Sequence, residues 1–144
     1  MTLEDKLMDD VRNGRHVELE TAALIVSGCK TEEIISKYKA KIDLLEKRID
    51  RDTPNAGSPL QVITGIHNLF WQGEIPYLKT QKFELSDALD AKLADKPVGN
   101  CAILSALYAT LALRRGLKVQ ALVMPNHVAL RVLNGTRPID IETT

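Results

Sequence analysis

The C-terminal third of the chain, residues 99–144, reads GNCAILSALYATLALRRGLKVQALVMPNHVALRVLNGTRPIDIETT. Residues 101–115 are apolar or small on nearly every side, which is typical of a buried central helix, and Gly116 follows at the usual C-terminal position. Three segments rich in Val, Leu and Ile come next, at 117–124, 128–133 and 138–142. The dipeptide Asn134-Gly135 predicts a hairpin between the last two. This region therefore predicts one buried helix followed by an antiparallel sheet.

Apolar residues recur at helical spacing through the N-terminal half of the chain. The predicted helices are 3–11, 17–27, a long one that begins after Thr31, 60–72 and a short one at 86–95. Thr31 is a suitable N-cap for the long helix, and Lys47 and Arg48 suit its negative end. Residues 51–59 are rich in turn-forming residues and predict a surface loop, whereas residues 73–83 predict irregular structure.

Helices followed by an antiparallel sheet predict an α+β fold. We predict an N-terminal helical region at 1–58 and a core at 59–144, and the 144 residues are enough for the two to form one globular unit. Lys and Arg number 19, as do Asp and Glu, so no overall charge favours nucleic acid or an anionic membrane. The sequence has no signal-like N-terminus and no apolar stretch of membrane-spanning length, which predicts a cytoplasmic protein with reduced thiols.

Cys101 is the first candidate for chemistry. Asn100 is a good N-cap for the buried helix, so the thiol is expected in the first helical turn, where free N–H groups and the macrodipole favour a thiolate. The alternative is that Cys101 is simply a small buried hydrophobic residue. Cys29 follows a helix end without a matched base and is interpreted as structural.

His127 and two acidic residues are the second candidate group. His127 is expected at the start of a strand, where an imidazole can face a cleft. Asp140 and Glu142 share one face of the last strand, which pairs with the strand of His127, so either carboxylate is placed to orient the imidazole. In the alternative interpretation, His127 caps a backbone carbonyl and the acids form the wetted face of an edge strand.

Together these residues supply a nucleophile, a base and an orienting carboxylate, the set that covalent acyl transfer needs. Zinc binding by the same side chains is the other chemistry considered, but the sequence has no Cys-x-x-Cys or His-x-x-x-His pair. We therefore predict no metal ion and no cofactor.

Three segments of this sequence resemble the transglutaminase-like superfamily. Residues 99–117, GNCAILSALYATLALRRGL, resemble its cysteine-bearing helix, and PNHV at 125–128 and IDIETT at 139–144 resemble its histidine and acidic strands. The helical segments before them are more loosely similar to the bacterial branch with an N-terminal helical region. These segments are ETAAL at 20–24, LFWQG at 69–73 and LSDAL at 85–89.

The resemblance implies a papain-like fold with a Cys-His-acid triad formed by Cys101, His127 and one of two acids. Many relatives have an aspartate followed by Pro-Thr where this chain has Ile-Glu-Thr-Thr, which favours Glu142. Asp140 matches the usual residue type and is slightly preferred. The oxyanion would be stabilised by the backbone N–H of Cys101 and one further donor, for which the candidates are Gln72, Trp71 and Asn100.

The implied activity is cysteine-dependent acyl transfer on a peptide or protein amide, as in a peptidase, an amidase or a transglutaminase. The alternative is a transglutaminase-like domain that has lost catalysis and serves as a protein-binding module. Relatives usually continue into further sheet after the acidic strand, so the sequence is interpreted either as a fragment of a longer protein or as a minimal domain whose exposed sheet edge takes a partner.

Overall fold

A computed structural model describes residues 1–54, 57–71, 90, 101–134 and 137–143. The helices are α1 (Leu3–Arg12), α2 (Leu19–Val26), α3 (Glu32–Asp52), α4 (Pro59–Trp71) and α5 (Cys101–Arg114). The strands are β1 (Val119–Met124), β2 (His127–Val132) and β3 (Ile139–Ile141). This order of helices followed by a small antiparallel sheet confirms the predicted α+β class.

The long helix α3 begins where its capping residue predicts. The side chain of Thr31 accepts a hydrogen bond from the N–H of Ile34, and acidic residues occupy the first turn. The helix continues to Asp52, two residues into the segment predicted as a loop. Ile49 explains the extension, because it is 2% exposed and its burial keeps the last turn of the helix packed on the core.

One hydrophobic core joins the N-terminal helices to α5 and the sheet. Its fully buried members are Leu24, Ile42, Leu45, Ile66, Leu104, Leu107, Tyr108, Leu111, Ala112 and Val132. The phenol of Tyr108 donates to the carbonyl of Ile63, and burial raises its pKa. The cluster includes residues from 1–58 and from 59–144, and the boundary between these two regions stays a prediction.

Helices α3 and α4 approach each other closely at Gly65. A Cβ atom there would lie 3.1 Å from Cγ2 of Ile49 and 3.2 Å from Oγ1 of Thr53, which is tighter than ordinary van der Waals contact. Glycine is unfavourable inside a helix, but at position 65 the close approach of α3 leaves little room for a larger side chain.

No helix in the described ranges is long and apolar enough to cross a membrane.

The sheet has the order β1-β2-β3, and both strand pairs are antiparallel. The two-residue turn Pro125-Asn126 joins β1 to β2, and Asn126 adopts the left-handed conformation with a φ of 61°. Helix α5 packs mainly on β2, whose residues Leu130 and Val132 are buried. The sheet therefore presents the face of Leu130 and Val132 to α5, and the opposite face carries both polar residues, such as Arg131 and Asp140, and apolar ones, such as Leu122 and Ala129.

Two predicted elements fall mainly outside the described residues. These are the Asn134-Gly135 turn, of which Asn134 is described, and the helix at 86–95, of which Asp90 is described and helical. The side chain of Asn134 accepts a hydrogen bond of 2.5 Å from the N–H of Lys118, so it ties the end of β2 to the chain before β1. The predicted irregular segment 73–83 also lies outside the described residues.

Candidate functional site

Cys101 is the first residue of α5 and is partly exposed. It is not part of a disulfide, and neither is Cys29, which is 6% exposed. The first turn of a helix carries backbone N–H groups that have no partner within the helix. The predicted N-cap, Asn100, lies outside the described residues.

His127 is the first residue of β2, directly after the turn that contains Asn126. Its side chain is 30% exposed, and its Nε2 lies 2.6 Å from Oε1 of Glu142, whose side chain is 53% exposed. Glu142 follows the last residue of β3. The structure thus brings together an imidazole and a carboxylate at one end of the β2–β3 pair.

Asp140 has a different partner. It pairs in register with Arg131, whose Nε and Nη2 donate to the two carboxylate oxygens at 2.7 and 3.1 Å. The hydrogen bonds from this guanidinium lower the pKa of Asp140 below its usual value. The carboxylate in contact with His127 is thus that of Glu142 and not that of Asp140, which was slightly preferred, and the role of either acid in orienting the imidazole stays a prediction.

Hydrogen bonds of hydroxyl groups connect helix α5 to β2 and to the segment that follows β3. Oγ of Ser105 donates to the carbonyl of Val128 at 3.3 Å and lies 3.1 Å from Oγ1 of Thr143. Sequence reasoning missed both hydroxyl residues. One signal was present, because a serine inside an apolar helix needs a hydrogen-bond partner once it is buried.

A protein-family model with the description "Transglutaminase-like superfamily" matches residues 36–142. The chain belongs to this superfamily. No match to the chain was found among the curated proteins or among the solved structures. The matched range begins inside α3 and ends at Glu142, so it includes Cys101, His127 and both acidic candidates.

The remaining site predictions of this transglutaminase-like chain concern the second oxyanion donor. Gln72 and Asn100 lie outside the described residues, and Trp71 is described only as the last residue of α4. Within the described ranges, no group of three or more His, Cys, Asp or Glu side chains is arranged to hold a metal ion. The side chains that the structure does bring together are a histidine and a carboxylate, beside a helix that carries a thiol.

Proposed function

We propose that this protein catalyses cysteine-dependent acyl transfer on peptide or protein amides. The observation that carries the proposal is the 2.6 Å contact between Nε2 of His127 and Oε1 of Glu142. A carboxylate in this position fixes the tautomer and the orientation of an imidazole. Because Nε2 faces Glu142, Nδ1 is the ring nitrogen that exchanges a proton with the thiol of Cys101.

The first half of the reaction forms a thioester. Nδ1 of His127 takes the thiol proton, and Sγ of Cys101 attacks the carbonyl carbon of the amide, while the carbonyl π electrons move to the oxygen. When the tetrahedral intermediate collapses, the C–N bond breaks and its electron pair leaves with nitrogen. The imidazolium gives its proton to that nitrogen, so a neutral amine departs and the acyl group remains on sulfur.

The second half returns the enzyme to its resting state. A water molecule or an amine gives a proton to His127 and attacks the thioester, and the thiolate leaves and recovers the proton. Water as the acceptor makes the protein a peptidase or amidase, and an amine makes it a transglutaminase. Both outcomes use the same side chains, and neither requires a metal ion or an organic cofactor.

The rate at which iodoacetamide alkylates Cys101 at pH 6.5 tests this proposal. Mass spectrometry of the digested protein separates the Cys101 peptide from that of Cys29. We expect the folded protein to react at least about 10-fold faster than a free cysteine, because His127 takes the thiol proton and the thiolate is the form that is alkylated. The variant His127→Ala should lose this advantage.

The matched control is His16→Ala, which removes an exposed imidazole from the loop before α2 and should leave the rate unchanged. An activated ester such as p-nitrophenyl acetate then tests acyl transfer directly, because the acetyl group should appear on Cys101 in the wild type and in His16→Ala but not in His127→Ala. Alkylation that is slow and independent of His127 would contradict the proposal and favour the non-catalytic binding module.

A further inference from the structure

Two buried hydroxyl groups lie where α5 meets the ends of β2 and β3. Ser105 is 2% exposed and Thr143 is fully buried, and their oxygens are 3.1 Å apart. The single hydroxyl proton of Ser105 is donated to the carbonyl of Val128, so the hydroxyl of Thr143 donates to Oγ of Ser105. The result is a directed chain of two hydrogen bonds that runs from the segment after β3 through α5 to β2.

Each member of this chain is next to one residue of the proposed site. Ser105 lies four positions after Cys101, which places the two on the same face of α5, about 6 Å apart along the helix axis. Val128 directly follows His127, and Thr143 directly follows Glu142. The two hydrogen bonds therefore join the three segments that carry the thiol, the imidazole and the carboxylate.

Thr143 has a special importance because the strand ladder does not reach Glu142. The register between β2 and β3 ends at the pair Leu130 and Ile141, and β3 itself ends at Ile141. Strand pairing thus fixes Asp140 but not Glu142. Thr143 is fully buried beyond the end of the strand, and its hydrogen bond to α5 holds the backbone on the far side of Glu142.

The surroundings of Ser105 and Thr143 explain why hydroxyl groups, rather than apolar groups, fix the position of α5 relative to the strands. The neighbouring α5 residues Leu104 and Tyr108 are fully buried, and apolar packing of this kind is non-directional. Buried hydroxyls, by contrast, are costly unless their partners stay within hydrogen-bond distance and angle. The two hydrogen bonds therefore select one position of α5 along the strands.

We propose that Ser105 and Thr143 are positioning residues that set the geometry of Cys101, His127 and Glu142. The proposal rests on the acyl-transfer function proposed above and extends it to two residues that take no part in the chemistry themselves. Their effect is transmitted through the backbone to the neighbouring side chains. An error of about 1 Å in such geometry is enough to lower a rate by about 100-fold.

The test compares four variants by two measurements. Ser105→Ala and Thr143→Val each remove one hydroxyl, and Thr143→Ser retains the hydroxyl but removes a methyl group. The matched control is Thr110→Val, because Thr110 is 2% exposed on the same helix and donates only within α5, to the carbonyl of Ala106. The measurements are the alkylation rate of Cys101 at pH 6.5 and the NMR signals of the His127 ring protons, on protein shown to be folded by circular dichroism.

We expect Ser105→Ala and Thr143→Val to slow alkylation by about 10-fold or more and to move the His127 ring signals. Thr143→Ser and Thr110→Val should stay within about twofold of the wild type, since both preserve the hydrogen bonds between α5 and the strands. If Thr143→Val is folded and its rate and ring signals equal those of the wild type, the positioning role is overturned.

The two proposals fail in different ways. If wild-type Cys101 reacts no faster than a free cysteine and His127→Ala has no effect, the proposed acyl-transfer function is wrong. The ring signals then decide the positioning role alone: a shift in Thr143→Val that is absent in Thr110→Val supports it, and equal signals in both overturn it. If Thr110→Val slows alkylation as much as Ser105→Ala, the effect is a general one of removing buried hydroxyls, which also overturns the proposal.

Discussion

Two of the places where ionisable side chains contact each other differ in burial. One is the junction of α2, α3 and α5, and the other is the end of the β2–β3 pair at His127. At the junction, the guanidinium of Arg114 is 20% exposed and donates to Glu20 on α2 and to Asp43 and Glu46 on α3. Glu20 is itself 7% exposed and is bound through both of its oxygens. At the strand ends, His127 and Glu142 make one contact and are 30% and 53% exposed.

The difference concerns protons. Burial acts to lower the pKa of Arg114, but hydrogen bonds to Glu20, Asp43 and Glu46 outweigh it and raise the pKa further, so this charge is permanent. The buried cluster therefore holds three helices together with a fixed charge, whereas the exposed His127–Glu142 pair is the contact on which the proposed proton transfer depends.

The largest effect is expected from Arg114→Met, which leaves the buried carboxylate of Glu20 without its partner. We expect the free energy of unfolding to fall by about 3 kcal/mol in urea titrations, because an uncompensated buried charge remains. The double variant Arg114→Met/Glu20→Gln should recover part of this loss. The alkylation rate of Cys101 in the folded single variant should be unchanged. A large decrease would show that the Arg114 cluster also affects the reactivity of Cys101, which would contradict the independence of the two regions.

Glu142→Ala should give the opposite result. Without the carboxylate, the ring of His127 is free to rotate, and alkylation of Cys101 at pH 6.5 should slow by about 10-fold. The free energy of unfolding should change by less than about 1 kcal/mol, since an exposed ion pair contributes little. If Glu142→Ala lowers the free energy of unfolding but leaves the alkylation rate of Cys101 unchanged, Glu142 has a structural role like that of Glu20.

Asp140→Ala removes the other carboxylate of the same strand and is the matched control for Glu142→Ala. Because Asp140 is bound by Arg131 rather than His127, we expect the alkylation rate to stay within about twofold of the wild type. The same assay measures it. A decrease larger than that of Glu142→Ala would restore Asp140 as the orienting acid.

The smallest effect is expected from Arg131→Gln. Arg131 lowers the pKa of Asp140 in the folded protein, so this carboxylate favours folding above its unfolded pKa, and the contribution is lost as pH falls through the lowered value. In Arg131→Gln, the pKa of Asp140 should return toward its ordinary value. Titration by carboxyl-carbon NMR measures it, and Asp52, whose pKa is lowered by Arg51, provides an internal control that should not change.

Much of the fold was predictable because the local signals agreed with each other. The cap at Thr31, the stop at Gly116 and the turn before His127 each place an element boundary through backbone chemistry that a few neighbouring residues determine. The end of α3 was predicted too early, because the turn-forming residues after 50 favour a loop, whereas the helix continues to Asp52. Membership of the transglutaminase-like superfamily was likewise predictable from the segments around Cys101 and His127.

The sequence by itself determined the α+β class, the helix that starts at Cys101, the strand that starts at His127 and the presence of two acids on one strand face. Which of those acids contacts His127 was decided by the tertiary structure. Residues 140 and 142 share a face because side chains alternate along a strand. The sequence pattern therefore cannot show which of the two carboxylates contacts His127. Pairing register places Arg131 opposite Asp140, and the end of the ladder leaves Glu142 at His127, which only contacts distant in sequence can specify.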